Sequence, residues 1–335
     1  MSRVAVLGGG RSPEHAVSLR SAAAVAAALR SAGHEPVAIT IDRGGVWSDD
    51  AGALGGTAAA SLAVGIGLLA SCDVVFPVLH GAPGEDGAIA ALADLAGLPV
   101  VGCPAIGSAL AMDKHATKAI AAALGIAVAP GVLLLAGDPV PEVRPPVVVK
   151  PTTAGSSVGV AVVTDAAELA PAIAAARAAG DAVLVESYVR GREVQLAVVE
   201  RRDGTLCVLP AIEYGVADGT VFDTSRKYDG TAAVRFPAAV DDGTAAALAD
   251  AATRLFLALG CRGLARFDFF VTAQGFLLNE VNTMPGMTPQ SGFPRMCRAG
   301  GLDLPALTDE LVAVALRDPT RQRGASSMKR SSASA

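Results

Sequence analysis

Two carboxylates, an amide and a guanidinium recur at even spacing late in the chain, with Arg266 and Asp268 in LARFDFFVT and Glu280 and Asn282 in FLLNEVN. A spacing of two places side chains on one side of a β-strand, and Ala265, Phe267 and Phe269 alternate with the first pair as the opposite, apolar side. Between the strands lies Ala273-Gln274-Gly275, a three-residue connection closed by the glycine that such hairpin loops favour. With Thr272 paired to Phe276, Asp268 falls opposite Glu280 and Arg266 opposite Asn282. Like charges directly opposed in an antiparallel pair are destabilising, so this register requires something to offset the repulsion. A divalent cation does so: two carboxylates and an amide oxygen are hard ligands of the kind Mg²⁺ prefers, with phosphate oxygens and water completing the octahedron. Phe267, Phe269, Phe276, Leu277 and Leu278 argue for a packed hairpin rather than a solvated polar edge.

Other groups suit a phosphate-bearing ligand. PVVVK is a buried strand ending on Lys150, and PTTAGSSVGV after it is a loop of small residues whose amides can approach phosphate oxygens closely. The G-x-x-x-x-G-K-[ST] order is absent, so this is not a P-loop. Lys114, in Met112-Asp113-Lys114, and Lys150 follow apolar segments with no evident carboxylate partner, which assigns both to a ligand rather than to the core. The string HGAPGEDG, beginning at His80, follows an apolar strand and puts polar groups at the carboxyl end of a sheet, where open α/β folds bind ligands. Glu14 stands at a helix N-terminus, suited either to the helix dipole or to a substrate cation. Residues 218–230 are polar and turn-rich, hold Lys227 and Tyr228, and read as a loop that covers a site.

The elements that must position these groups follow from the pattern. Val4–Leu7, Gly8-Gly9-Gly10 and an alanine-rich helix with Ser12 as N-cap, Pro13 in its first turn and Gly33 past its end open a parallel α/β sheet, continued by Pro36–Ile41. Pro13 stands where the dinucleotide fingerprint needs a third small residue, which argues against a nicotinamide site. Further strands are expected at Asp73–Leu79, Pro99–Val101 and Val183–Val185, with helices at Ala88–Ala96, Thr244–Leu259 and Asp303–Leu316. A new α+β pattern starts between Asp113 and Lys118, which sets a domain change there, and the tail from 318 to 335 reads as disordered.

At 335 residues and 52% hydrophobic composition the chain can bury a large core, and its net charge of -5 argues against a nucleic-acid partner. The five cysteines have neither metal-ligand nor paired spacing, as in a reducing cytosol. The uncharged span from Gly52 to Cys72 holds five glycines and reads as a loop and helix, so no membrane segment is expected.

Taken together, GGGRSPEH, HGAPGEDG, MDK, VVKPTTAGSSVGV, the lysine-tyrosine loop, ARFDFF and NEVNTMPGMTPQS, in this order across residues 3 to 317, resemble the D-alanine–D-alanine ligases of the ATP-grasp family. The resemblance implies an α/β fold, with an N-terminal Rossmann-like parallel-sheet domain over residues 1–113 followed by a two-part α+β ATP-grasp domain, its central part 114–185 and its C-terminal part, with the metal site, 186–317. It further implies a cytoplasmic homodimer using ATP, two Mg²⁺ or Mn²⁺ and two D-alanine molecules for peptidoglycan precursors. By motif, Lys114 and Lys150 would hold ATP phosphates, Glu186 and Glu193 the adenosine beside Val189, and Ser156 and Ser157 would lie in the phosphate-covering loop. Ser156 would also bond Glu14 and Tyr228. Glu14 would hold the ammonium of the first D-alanine, and Ser291 the carboxylate of the second, in a substrate region that also includes His80 and Gly292. Asp268, Glu280 and Asn282 would bind the metals, Lys227 would offset phosphate charge, and Arg266 with the amide of Gly286 would stabilise an oxyanion. Two features depart from the family: Gly292 stands where a bulky apolar side chain is usual near the second substrate, and Phe222–Arg226 lacks the usual aromatic-rich loop. An acceptor such as D-lactate or D-serine is the alternative within the family, and an ATP-binding regulator without catalysis the alternative outside it.

Overall fold

The computed structural model describes residues 1–180, 182–215 and 233–317. Three sheets carry the chain. In the first, β1 (Arg3–Gly9) pairs in parallel with both β2 (Glu35–Ile41) and β5 (Val74–Pro77), while β3 (Trp47–Asp49) and β4 (Gly52–Ala53) extend the edge beyond β2 antiparallel. The strand expected at Pro99–Val101 contributes only a single parallel bridge, Val100 to Val75. Helix α1 (His15–Ser31) lays Val17, Val25, Ala26 and Leu29 on this sheet. It starts two residues later than Ser12 would set as N-cap, with Glu14 in that place, while the Ser12 hydroxyl accepts the Glu14 amide at 3.2 Å and donates to the carbonyl of His80 at 2.6 Å, which ties it to the loop after β5. The span between Gly52 and Cys72 forms α2 (Ala58–Ala70), capped by Thr57, and Ala88–Leu95 is α3.

Helices α4 (Ala105–Met112) and α5 (Lys114–Ala123) meet at Asp113, whose side chain caps α5 by accepting from the Ala116 amide at 2.9 Å. A four-stranded sheet follows in the order β6 (Gly131–Leu134), β9 (Val183–Ser187), β7 (Val147–Pro151), β8 (Ala161–Val163), with α6 (Leu169–Ala179) packed on it. The third sheet runs β13 (Ala233–Arg235), β12 (Ile212–Gly215), β10 (Arg192–Glu200), β14 (Leu264–Thr272), β15 (Gly275–Asn282), with β11 (Leu206–Val208) also on β10. One face of this sheet buries Leu196, Phe267 and Phe269 against α7 (Asp242–Ala258). The other packs against α8 (Gly292–Ala299) and α9 (Leu304–Leu316), whose Phe293, Met296, Leu307 and Leu311 share one core with Val4 and Phe76 of the first sheet and Val25 of α1. That shared core brings the loops after β1 and β5 up to the polar part of the third sheet.

The hairpin corrects the reading of its turn while keeping the register at the functional end. Thr272 pairs with Gly275 across a two-residue loop, and Phe269 with Leu278. A β-bulge then absorbs Asn279, so that Asp268 faces Glu280 and Arg266 faces Asn282 as the spacing predicted. A bulge adds one residue to one strand and re-aims the side chains beyond it, which here compensates a loop one residue shorter than expected.

Candidate active site

Side chains of directly paired residues share a face, so the third sheet presents three polar rows on the side away from α7. Tyr214 and Glu193 form the first, Gln195, Asp268 and Glu280 the second, and Arg266 and Asn282 the third. Asp268 is almost fully enclosed, and both its oxygens are engaged: Arg266 Nε donates to Oδ1 at 2.7 Å and Arg266 Nη2 to Oδ2 at 2.8 Å. Gln195 Nε2 donates to the same Oδ2 at 3.2 Å and to Glu193 Oε1 at 3.0 Å. Glu280 has Lys114 Nζ at 3.5 Å. The offset that the opposed carboxylates require is therefore supplied by a guanidinium and an ammonium of the protein itself, and the register alone does not demand a metal. Whether the donors also suit a cation is a separate question. Asp268, Glu280 and Asn282 are hard oxygen donors on adjacent rows of one face; Asp268 Oδ2 accepts two bonds, but Oδ1 accepts only one and keeps a lone pair, so the set fits Mg²⁺ or Mn²⁺.

Lys150 is not without a carboxylate, contrary to the expectation from its strand. Its Nζ lies 2.7 Å from Glu186 Oε2, while Lys118 bonds the other oxygen of the same carboxylate. Lys150 also reaches the bulge residue Asn279 at 3.4 Å. Burial opposes ionisation of Glu186, yet Lys150 and then Lys118 outweigh it and hold the carboxyl below its ordinary value. Burial, reinforced by repulsion from Lys150, lowers Lys118 to about 8.

The small-residue loop follows β7 as expected and carries two consecutive left-handed residues, Ser156 with φ 51° and Ser157 with φ 59°. That conformation costs a non-glycine residue roughly 1 kcal/mol or more and persists where the surroundings enforce it, commonly at ligand sites. Lys114 helps to hold it: its amide donates to Thr152 O at 2.9 Å and its Nζ to Ala154 O at 2.8 Å. A Cβ on Gly155 would stand 3.2 Å from Glu14 Oε2, so the loop lies directly against Glu14. Glu14, Lys114, Ser156, Arg266, Glu280 and Asn282 line one cleft, which Glu85 closes from below.

Glu85 is buried, accepts the Gly81 amide at 2.9 Å through Oε2, and finds no hydrogen-bond partner for Oε1 among the described residues. Burial first, and then the charge of Glu14, push its carboxyl up to about 8. Between its ordinary value of 4.5 and about 8 the folded chain therefore holds a proton that the unfolded chain has released, so stability falls as pH climbs through that window. Glu85→Gln is expected to flatten this fall, seen as a smaller drop in melting temperature from pH 5 to about 8.5 than in the wild type; parallel slopes would refute the assignment.

His80, expected beside the substrate, spends both ring nitrogens inside the protein. Nδ1 donates to the Met284 carbonyl at 2.9 Å, because a carbonyl only accepts, and Nε2, 3.1 Å from Ser21 Oγ, accepts from that hydroxyl. Burial keeps the ring neutral. Ser21 Oγ in turn accepts the Met287 amide at 3.2 Å, so His80 positions the segment that contains Gly286. At Gly286 itself a Cβ would meet Ser291 Oγ at 2.9 Å, and that hydroxyl is bonded to Thr288 Oγ1 at 2.7 Å.

A family model described as D-ala D-ala ligase N-terminus matches residues 3–103, and one described as D-ala D-ala ligase C-terminus matches residues 138–313. The chain belongs to the D-alanine–D-alanine ligase family. It is 41% identical to a D-alanine–D-alanine ligase of Nocardia farcinica, over 96% of this chain and 99% of that one. The Mycolicibacterium smegmatis enzyme of the same name is also 41% identical, over 96% and 97% respectively. Among solved structures, the D-alanine-D-alanine ligase from Coxiella burnetii superposes with a TM-score of 0.81 at 29% identity, covering 99% of both chains. The VanG D-Ala:D-Ser ligase from Enterococcus faecalis superposes at 0.79 and 30%, covering 93% of this chain and 99% of that one. The mixed α/β architecture is thus the ATP-grasp fold of these ligases.

Of the residues that the ligase family's motifs single out, Lys227 and Tyr228 lie outside the described residues, as does the tail. Val189 follows β9 in the segment anchored by the Tyr188 amide on Pro146 O at 3.1 Å. Four further residues at or beside this candidate site are not among those that the motifs single out. Gln195 had a detectable signal, a lone amide inside the otherwise apolar strand VQLAVV. Glu85 lay within a string already singled out. Lys118 and Tyr214 had no local signal, since their partners are distant in the chain.

Proposed function

We propose that this chain joins two D-alanine molecules at the expense of ATP, giving D-alanyl-D-alanine, ADP and phosphate. The observation that carries the reading is the single cleft shared by Glu14, the Ser156 loop, Lys114, Arg266, Glu280 and Asn282. A carboxylate is a poor electrophile, so the first D-alanine takes the γ-phosphoryl group of ATP to become an acyl phosphate, and the deprotonated amine of the second attacks its carbonyl with departure of phosphate. Glu14 holds the first ammonium, Ser291 the second carboxylate, and Glu186, Val189 and Glu193 the adenosine. The left-handed serines with Lys114 and Lys150 receive the phosphates, aided by Lys227. Arg266, fixed by its fork on Asp268, and the Gly286 amide stabilise the tetrahedral oxyanion, a role worth about 3 kcal/mol per donor. Two divalent cations would be held by Asp268, Glu280 and Asn282, where they would neutralise phosphate charge. Homodimerisation and a cytoplasmic location belong to the same proposal; no helix among the described residues is long and apolar enough to cross a membrane.

Phosphate release measured with and without D-alanine, with products identified by mass spectrometry, tests the reading. D-Alanine-dependent release, with one phosphate per dipeptide, is expected. Nucleotide binding with no D-alanine-dependent turnover would instead identify an ATP-binding regulator.

A further inference from the structure

Gly292 opens α8 directly after Ser291, and the volume that its side chain would take is already occupied. A Cβ there would lie 2.6 Å from the hydroxyl oxygen of Tyr214 and 3.7 Å from Gln195 Oε1. The Tyr214 ring comes from β12, opposite Glu193, and packs at the edge of the core formed by Phe293 and Met296. Tyr214 therefore reaches across from a strand to stand beside the first residue of α8, on the same sheet face as Arg266 and Asp268. Burial raises its ionisation above the ordinary tyrosine value, so it presents a neutral hydroxyl that both donates and accepts.

We propose that Tyr214, seated in the space left by Gly292, forms the acceptor-side wall of this ligase site and lets it take an acceptor whose side chain is a hydroxymethyl group, D-serine, alongside D-alanine. The proposal rests on the ligase reading above, which puts the acceptor carboxylate at Ser291. An aliphatic side chain at residue 292 would offer an acceptor hydroxyl no partner and leave it desolvated, whereas a phenol oxygen at the same place can pair with it. A site built around such a pairing discriminates on the hydroxyl far more sharply than an apolar wall does on one methylene. The methyl of D-alanine asks for no such partner, so the pair Tyr214 and Gly292 broadens acceptor choice.

The test supplies ATP, D-alanine and D-serine together and measures the ratio of D-alanyl-D-serine to D-alanyl-D-alanine by mass spectrometry. In Tyr214→Phe, which keeps the ring and removes one oxygen, that ratio is expected to fall about tenfold, while the KM values for ATP and donor D-alanine stay within about twofold. A packing role would move the melting temperature and every KM together. Gly292→Ala, whose new methyl meets the Tyr214 hydroxyl, is expected to raise acceptor KM, and Tyr214→Phe in that background to lower it again; additive effects would break the coupling. If the wild type forms no dipeptide at all, the ligase reading falls and takes this assignment with it. If it forms dipeptide but makes no D-alanyl-D-serine, or if Tyr214→Phe leaves the ratio within about twofold, the assignment alone falls.

Discussion

Glu280→Gln is expected to lower dipeptide formation on the order of a thousandfold while shifting the melting temperature of the ligand-free chain by only a few degrees. The loss follows if Glu280 helps to hold a cation on the phosphates, since several kcal/mol of transition-state charge stabilisation correspond to about three powers of ten in rate. The small stability change follows from the surroundings. The Glu280 side chain is 24% exposed and the Lys114 ammonium stands 3.5 Å away. Ion pairs with this much water contact contribute roughly 0–1 kcal/mol, and removing Glu280 also relieves its opposition to Asp268. Calorimetric titration of Mg²⁺ in the presence of ADP separates the causes, because the variant should bind the metal more weakly. Undiminished ligation, or an unchanged metal isotherm, would remove Glu280 from the metal set.

Arg266→Met should destabilise the chain by about 3–5 kcal/mol, the usual cost of leaving one member of a buried ion pair uncompensated. Asp268 is 1% exposed and takes two short bonds from this one guanidinium and a longer one, 3.2 Å, from Gln195. The same change should lower turnover by about 10²–10³ if Arg266 also donates to the oxyanion. Arg266→Lys keeps the charge without the fork, and is expected to recover part of the stability but little of the activity, because an ammonium cannot reproduce two parallel N–H bonds. Combining Arg266→Met with Asp268→Asn removes the stranded charge and should return most of the stability with no recovery of ligation. Chemical unfolding and steady-state kinetics on the four chains decide the matter. Wild-type stability in Arg266→Met would mean that the pair is not a buried structural link.

Much of this site was legible because its signals are local. Alternation over Arg266, Asp268, Glu280 and Asn282 needs only the strand period, and the serine loop after Lys150 needs only small residues between two apolar runs. The hairpin register came out correctly at Asp268 and Glu280 although the loop was read one residue too long, because the bulge at Asn279 restores the count. Nothing local distinguishes a three-residue loop from a two-residue loop followed by a bulge three residues before the strand ends.

Charge compensation was the part that residue spacing could not supply. Opposed carboxylates pointed to a metal, yet in the folded chain Arg266 and Lys114 already stand against them, one on the same strand and the other more than 160 residues away in sequence. Lys150 read as a free ammonium at the end of a strand, until folding set it beside Glu186 and Lys118. His80 reads as a ligand contact, but the segment after β15, through Met284, and helix α1, through Ser21, take its two nitrogens. The reason is common to all three. Secondary-structure periods constrain neighbours a few residues apart, whereas long polar side chains find partners by packing between segments, and which partner is nearest depends on how the first and third sheets share one core. Tyr214 and Gly292 show the same limit, since a missing side chain is visible in sequence but the residue that fills its volume is settled only when β12 and the N-terminus of α8 come together.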